Sequence, residues 1–366
     1  MLTQKMTPPF LRACLSAFGL CAMASSGIAP AYGNPLISVD VQTLSIYEQQ
    51  DAFHKWYPAS LTKMMTAYTV FRALKNGEVR LDTPVVMSKN AVNQKPSKMP
   101  FRVGDRLTLD DALKIMLVKS ANDVSVAISE TVGGSEKAFI DRMNAEAARI
   151  GMSSSHFINP NGLPGAGQYT TARDLAVLAI TIKREFPQYG GYFSLEGFST
   201  LGKTYTNYNL LIGRYDGADG MKTGFICASG FNQVTSATRN GRSIVTVVLG
   251  TDSLGARADE SARMLEEGLT TRPKTRLALN TLRPDPLTPP GVADISADIC
   301  STKGRKVRSE GRDEAGRMKL MSPYIHEAAA VPNVVPIQLL TPVPGSPASM
   351  PVQAAKPKKK AKTKKK

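Results

Sequence analysis

The stretch Ala59-Ser-Leu-Thr-Lys-Met-Met-Thr66 decides the fold, because it opens a helix whose first turn carries two chemically useful side chains. Pro58 stands just ahead of it, where a proline suits the start of a helix. Gly77 predicts the end of this helix. Between them, apolar residues recur with the spacing of one helix face, at Leu61, Met64, Met65, Tyr68, Phe71 and Leu74.

Ser60 and Lys63 form the only Ser-x-x-Lys pair of the chain. Positions i and i+3 of a helix share one face, so the lysine amine can approach the serine hydroxyl. A serine is a weak nucleophile unless a base takes its proton, and no histidine stands near Ser60 in a triad-like pattern. A lysine that burial or a nearby cation keeps neutral can be that base. Taken alone, the pair is better explained as an N-cap serine and a surface lysine.

Two further short motifs follow in order. Ser120-Ala121-Asn122 interrupts two helical runs, so its hydroxyl and amide can point into a cleft. Lys222-Thr223-Gly224 stands directly before the strand-like run Phe225 to Cys227 and offers a cation, a hydroxyl and a residue without a side chain. Each motif alone is more often a solvated turn. Ser88-Lys89-Asn90 also has the Ser-x-Asn pattern of residues 120–122, but it precedes no helix break and lies too close to Ser60.

The remaining patterns predict an α+β fold, with one antiparallel sheet flanked by helices. Strands are predicted at both ends of the domain, and Asn240-Gly241 predicts a hairpin turn between the last two. The predicted strands are 36–40, 43–47, 230–238 and 243–249, and the later helices are 109–117, 124–129, 139–150, 175–182 and 257–269.

Ser-x-x-Lys, Ser-x-Asn and Lys-Thr-Gly together form the motif set of penicillin-binding proteins and class A β-lactamases. With the three motifs in this order, the region 34–270 resembles the low-molecular-mass penicillin-binding proteins, which are serine-type D-alanyl-D-alanine carboxypeptidases of the bacterial cell wall. The stretches 159–163, 171–175 and 219–224 also match. The resemblance implies a β-lactamase/transpeptidase-like fold and an extracytoplasmic site.

The resemblance also implies catalytic roles for individual residues. Ser60 would be the acylated nucleophile, Lys63 its base and Ser120 a proton relay. The backbone N–H groups of Ser60 and Phe225 would form the oxyanion hole. Water would then hydrolyse the acyl-enzyme formed with the peptide. The acyl-enzyme formed with a β-lactam antibiotic would be hydrolysed only slowly.

Substrate binding is implied for the other motif residues. Asn122 would bind a substrate amide, and Lys222 with Thr223 would hold the terminal carboxylate of D-Ala-D-Ala in a peptidoglycan stem peptide. Gly224 would leave room for the peptide beside the strand. No cofactor and no metal is expected, because the three histidines show no ligand spacing.

Alternative functions remain open at this point. A D,D-endopeptidase that cuts cross-links shares the motifs, and a non-catalytic penicillin-binding protein is compatible with them. A class A-like β-lactamase needs a Glu-x-x-x-Asn loop between the second and third motifs. No glutamate of that interval has an asparagine four residues on; these are Glu130, Glu136, Glu146, Glu185 and Glu196.

The two ends of the chain differ from the predicted domain, 34–272. Residues 1–33 have a basic start, an apolar stretch and small residues before a cleavage site, which predicts a signal peptide and a periplasmic or envelope location. Residues 273–366 are rich in proline and finally in lysine, so most of 275–366 is predicted to be flexible, although a short apolar patch such as Leu320-Met321 or 334–337 can dock on the domain.

The net charge of +16 belongs mostly to the last segment, because eight lysines fall within 356–366 while 34–272 carries only about +3. This distribution argues against a nucleic-acid partner. The tail can bind an anionic membrane surface or a wall polymer, or simply be solvated. Two cysteines, Cys227 and Cys300, lie beyond the predicted signal peptide. A disulfide between them is possible, but two separate thiols are favoured.

Overall fold

The computed structural model describes Met1, residues 34–307, Met318, residues 320–329 and residues 332–340. The chain divides into two units, Met1–Tyr32 and Gly33–Lys366. Apart from Met1, the first unit and the signal peptide predicted there lie outside the described residues. The fold below is that of the second unit.

An antiparallel sheet forms the centre of this unit. The strands of the described residues are β1 (Leu36–Asp40), β2 (Ile46–Gln50), β3 (Pro84–Val86), β4 (Arg106–Thr108), β5 (Gly197–Thr200), β6 (Lys203–Thr206), β7 (Ala218–Ile226), β8 (Gly230–Arg239), β9 (Arg242–Thr251) and β10 (Val334–Pro336). Within the described residues, the strands of the central sheet follow one another in the order β2-β1-β9-β8-β7. The edge strand β7 lies against the 3-10 helix Ala59–Leu61, which carries Ser60.

Helices cover both faces of the sheet. Neighbouring residues of β9 point to opposite sides: Val245 belongs to the main core with helices α1 and α6, and Ile244 to a smaller cluster with helix α8. The helices are α1 (Thr62–Lys75), α2 (Lys89–Val92), α3 (Leu109–Val118), α4 (Asn122–Gly133), α5 (Glu136–Arg149), α6 (Ala172–Glu185), α7 (Gly191–Ser194), α8 (Leu254–Thr270), α9 (Ser296–Cys300) and α10 (Thr302–Val307), with a second 3-10 helix at Pro187–Tyr189. The predicted fold class is confirmed.

Helix α1 is the buried centre of the main core. The apolar face predicted from its sequence, with Met64, Met65, Tyr68 and Phe71, is fully buried. A helix whose first ten residues are all buried cannot shift without breaking this packing, and single large-to-small changes in such cores cost about 2–5 kcal/mol. Its first turn, and therefore Lys63, is held rigidly.

Two predicted strands differ in position from the observed ones. The second strand begins at Ile46 instead of residue 43, because the Asp40 carboxylate accepts hydrogen bonds from the backbone N–H groups of Gln42 and Thr43 and forms a turn. The Lys-Thr-Gly motif lies inside β7 instead of before it. The short strands β3 to β6 were not predicted, since three or four residues show no clear alternation.

The region after residue 272 requires a correction. Most of 275–366 was predicted to be flexible, yet described parts of it pack against the domain. Leu279, Leu282, Ile299 and Ile337 are buried, and β10 pairs in parallel with β5. A few apolar side chains therefore anchor short segments between the prolines. The lysine tail, 356–366, lies outside the described residues.

Cys227 and Cys300 are joined by a disulfide, so the favoured prediction of two separate thiols is wrong. The cause is the course of the backbone after residue 290. Ala293 donates to the carbonyl of Lys55, and Ile295 donates to the carbonyl of Ala228. This path brings the two cysteine Cα atoms to 5.5 Å across a sequence separation of 73, which no local pattern reveals.

Candidate active site

Ser60 and Lys63 lie at the start of the buried helix, as predicted. Ser60 belongs to the 3-10 turn, and Lys63 follows in the first turn of α1, so that Lys63 Nζ lies 3.1 Å from Ser60 Oγ. Lys63 is 0 % exposed. The pair has the reach that a nucleophile and its base require.

Lys63 has two further partners, both of them carbonyl oxygens. Its Nζ lies 2.7 Å from Asn122 Oδ1 and 2.6 Å from the backbone oxygen of Asn161. Burial, together with the nearby cation Lys222, holds the pKa of Lys63 well below its usual range, although Asp123 opposes this effect. Lys63 is therefore poised to be neutral, as a general base must be.

Ser120 and Asn122 lie in the break between α3 and α4. Ser120 has a left-handed backbone, with φ of 61°, which ends α3 and turns the chain. Asn122 is fixed from both ends, because its backbone N–H donates to Ser97 O at 2.7 Å and its Nδ2 donates to Lys95 O at 2.9 Å. Its Oδ1 is therefore aimed at Lys63.

Lys222 joins the third motif to the second. Its Nζ donates to Ser120 Oγ at 3.0 Å and to the carbonyl of Thr223 at 2.9 Å. It is 2 % exposed, and burial beside Arg257 lowers the pKa of Lys222 to about 7. Near neutral pH this group exchanges its proton readily, and an incoming anion would favour the charged form.

Gly224 is required by close packing. A Cβ atom at this position would lie 3.0 Å from the backbone nitrogen of Ser60 and 3.1 Å from the carbonyl oxygen of Pro58. Contacts this short are tighter than nearly all real Cβ contacts, so a side chain at this position would force β7 or the Ser60 turn to shift by a few tenths of an ångström.

A cavity of about 340 Å³ opens over these residues. The structure brings all eight predicted site residues together: six line this cavity, and Lys63 and Lys222 lie beneath it, bonded to its walls. The lining consists of Ser60, Pro96, Ser97, Ser120, Asn122, Asn161, Gly162, Leu163, Tyr208, Thr223, Gly224, Phe225, Ile226, Phe231, Leu254 and Arg257.

Sequence reasoning missed three residues of this site. Asn161 contributes a backbone oxygen, for which side-chain chemistry gives no signal. Arg257 is 1 % exposed on α8, and Tyr208 comes from the segment before β7. A basic residue on the otherwise uncharged buried face of α8 was the only available hint of Arg257.

No group of His, Cys, Asp and Glu side chains that could hold a metal ion occurs among the described residues. Within the same part of the chain, no helix has both the length and the apolar character needed to span a bilayer.

Three motifs that meet in one cavity at the edge of an antiparallel sheet define an active-serine, penicillin-recognising class of fold. The family model described as D-alanyl-D-alanine carboxypeptidase, peptidase S11, matches residues 31–253. The chain belongs to this family.

Curated relatives agree with this assignment. The D-alanyl-D-alanine carboxypeptidase DacD of Escherichia coli K12 is 32% identical over 239 residues, which are 63% of this chain and 62% of the relative. DacA of Haemophilus influenzae is 32% identical over 262 residues, 69% of this chain and 67% of the relative. The chain thus spans about two thirds or less of the length of these relatives.

Solved structures are similar as well. The carboxypeptidase DacD of Francisella tularensis aligns with a TM-score of 0.62 at 33% identity, covering 64% of this chain and 70% of that one. Penicillin-binding protein D2 of Listeria monocytogenes, in its ampicillin-bound form, aligns with a TM-score of 0.57 at 27% identity, covering 65% and 97%.

Proposed function

We propose that this protein is a penicillin-sensitive serine D,D-carboxypeptidase that removes the terminal D-alanine from peptidoglycan stem peptides. The observation that carries the proposal is the Ser60–Lys63 pair, with the amine buried, 3.1 Å from the hydroxyl and low in pKa. The family membership and the names of the relatives support the same reaction.

The partners of Lys63 orient its lone pair. A neutral amine has two N–H groups, and the oxygens of Asn122 and Asn161 can only accept hydrogen bonds. When both N–H groups donate to these oxygens, the lone pair is left for Ser60, whose hydroxyl then donates to Nζ. Lys63 can therefore take the proton as Ser60 Oγ attacks the peptide carbonyl.

The developing negative charge has its own donors. As the carbonyl becomes tetrahedral, the N–H groups of Ser60 and Phe225 stabilise its oxygen, which is the usual function of an oxyanion hole. The C–N bond then breaks, and the proton that Lys63 accepted passes through Ser120 to the leaving amine. D-alanine departs and leaves an ester on Ser60. Water attacks this ester as Lys63 takes its proton, and Lys63 returns that proton to Ser60 Oγ as the ester bond breaks and the shortened peptide is released.

A terminal carboxylate has suitable partners at the same cavity. Thr223 and Arg257 line it and Lys222 lies beneath it, so together they offer a hydroxyl and two basic groups, and Asn122 can bind the peptide amide. Charge-assisted hydrogen bonds of this kind are about twice as strong as neutral ones. A β-lactam with its own carboxylate would bind in the same way and acylate Ser60; the Listeria relative is known in an ampicillin-bound form.

The decisive experiment incubates the full chain with a pentapeptide stem ending in D-Ala-D-Ala and, separately, with a cross-linked peptide dimer. Free D-alanine from the pentapeptide, absent in the Ser60→Ala variant, supports the carboxypeptidase. Cleavage of the dimer alone would assign an endopeptidase, and penicillin labelling of Ser60 without any hydrolysis would assign a non-catalytic penicillin-binding protein.

Residues 1–33 are proposed to direct export, which would place the enzyme in the periplasm or at the cell envelope, where its substrate lies. N-terminal sequencing of the protein recovered from the envelope fraction tests this. A mature chain that begins near residue 32 to 34 supports it, and a chain that still begins at Met1 in the cytosol contradicts it.

The lysine tail is proposed to attract the enzyme to an anionic membrane or wall polymer. Each lysine near such a surface contributes about 1 kcal/mol, and salt screens the attraction over about 8 Å at physiological ionic strength. Deleting 353–366 should leave peptide hydrolysis in solution unchanged but reduce sedimentation with anionic vesicles or cell walls. Equal sedimentation of both forms at low salt would show the tail to be merely solvated.

A further inference from the structure

Tyr208 is built into the wall of the cavity between two anchored asparagines. The side chain of Asn207 donates to Leu195 O at 2.9 Å, and its backbone N–H donates to Glu196 O at 2.8 Å. Asn209 is 2 % exposed and donates to Gly220 O at 3.1 Å, just ahead of the third motif. The backbone at Tyr208 is therefore fixed on both sides.

Both ends of Tyr208 are also held. Its carbonyl oxygen accepts a hydrogen bond from Arg257 Nη2 at 3.0 Å, and its hydroxyl accepts one from Lys119 Nζ at 2.8 Å. Lys119 directly precedes Ser120, whose hydroxyl is bonded to Lys222. Tyr208 therefore contacts Arg257 at one end and, at the other end, the neighbour of the Ser120–Lys222 pair. Arg257 and Lys222 are the two basic groups proposed to bind the carboxylate.

The ring is presented to the cavity instead of being packed in the core. Tyr208 is 42 % exposed, yet it lines the same cavity as Ser60 and Arg257. The ammonium group of Lys119 lies 5.3 Å from the centre of this ring and 5.8 Å from that of Tyr205. Such cation–π contacts add to the hydrogen bond and restrain the ring further.

The position of Tyr208 bears on the residue that leaves. In a peptide, the terminal carboxylate and the side chain of that residue are attached to the same Cα atom. Tyr208 lines the same cavity as Thr223 and Arg257, two of the groups proposed to bind the carboxylate, so its ring also lies close to this side chain. A fixed aromatic wall tolerates a methyl group there and collides with a longer chain.

We propose that Tyr208 sets the size of the C-terminal residue, so that D-alanine can leave while a residue with a bulky or cross-linked side chain is rejected. The proposal rests on the proposed function and narrows it: the enzyme trims free stem peptides and does not cut cross-links in which the leaving residue continues into a second peptide.

The test compares two acylated peptides that differ only in the last residue, one ending in D-Ala-D-Ala and one in D-Ala-D-Leu. The measured quantity is the ratio of their kcat/KM values within each variant, from the released D-amino acid, so that differences in folded fraction cancel. One methylene in a fitted pocket changes such ratios roughly 10- to 200-fold. The wild type should therefore prefer D-alanine by at least about 100-fold.

Tyr208→Ala should lower this ratio at least about tenfold, since it removes the wall. Tyr208→Leu should lie between the two, and it serves as the measurement if the alanine variant is poorly folded. Tyr208→Phe keeps the ring and loses only the hydroxyl bond to Lys119, so its ratio should stay close to that of the wild type.

A ratio that is unchanged in both Tyr208→Ala and Tyr208→Leu would overturn the proposal, and so would an equal shift in Tyr208→Phe and Tyr208→Ala. Failure of the proposed function looks different: the wild type would then release neither D-alanine nor D-leucine.

Discussion

Replacing Lys63 by methionine tests the central step of the mechanism. Methionine has a similar length and suits a buried site, but it cannot take a proton. Lys63 lies 3.1 Å from Ser60 Oγ, and the nearest other amine, that of Lys222, bonds instead to Ser120. We therefore expect Lys63→Met to lose acylation by both penicillin and peptide.

The size of the effect follows from the role. A positioned general base contributes roughly 10²- to 10⁴-fold to such a step, so acylation should slow by at least about 100-fold. The variant also leaves the oxygens of Asn122 and Asn161 without this donor, at about 1–3 kcal/mol for each unsatisfied buried group. Part of that cost is offset because the variant no longer buries a polar amine. The free energy of unfolding therefore has to be measured alongside the rate of acylation.

The assay follows covalent labelling of the full chain by a fluorescent penicillin over time, with a urea unfolding curve for each protein. Lys75→Met is the matched control, because Lys75 lies at the exposed end of the same helix. Only a folded Lys63→Met protein with slow labelling supports the mechanism. Labelling of that variant at the wild-type rate near neutral pH would refute Lys63 as the base.

Three further expectations concern other groups of the site and the fold. A folded Ser60→Ala protein should show no penicillin adduct when its tryptic peptides are analysed by mass spectrometry, and undiminished labelling would place the nucleophile elsewhere. Lys222 is a cation only below its pKa of about 7, so kcat/KM for peptides with a free carboxylate should fall as the pH rises through that value. Lys222→Ala should remove this fall of kcat/KM with pH. It should also lower kcat/KM roughly 10- to 100-fold, which corresponds to about 1.5–3 kcal/mol for a hydrogen bond to a charged group. For a peptide with an amidated C-terminus, kcat/KM should change much less. Replacing both Cys227 and Cys300 by serine should lower the free energy of unfolding in urea titrations by about 4 kcal/mol, because the disulfide closes a loop with a sequence separation of 73 and so restricts the unfolded chain. A loss below about 1 kcal/mol would mean that the disulfide constrains the unfolded chain little.

The residues that local motifs carry could be predicted, and the structure brings them together. Ser60 and Lys63 are one helical turn apart, so their contact is set by the helix itself. The meeting of Lys222 with Ser120 spans 102 residues, and only the shared motif set indicated it. The prediction succeeded there because a resemblance supplied the tertiary contact that periodicity cannot supply.

The residues that were missed share a different property. The contribution of Asn161 to Lys63 is a backbone oxygen, and any residue has one. Tyr208 and Arg257 belong to no recognised motif. Arg257 reaches the cavity only when α8 packs against the sheet, and Tyr208 reaches it from the segment before β7. The C-terminal region was misjudged for a related reason, since its prolines dominated the composition while a few spaced apolar residues decided how it packs.

The disulfide makes this molecule a closed ring between residues 227 and 300. Trypsin has accessible sites inside that ring, at Lys274 and Arg276, both beyond the end of the family match. A single cut there would leave the two fragments covalently joined. The nicked protein should migrate as one band on a denaturing gel without reductant and separate into two bands with it. A cut inside the ring therefore releases the C-terminal fragment only when the sulfur–sulfur bond is broken as well.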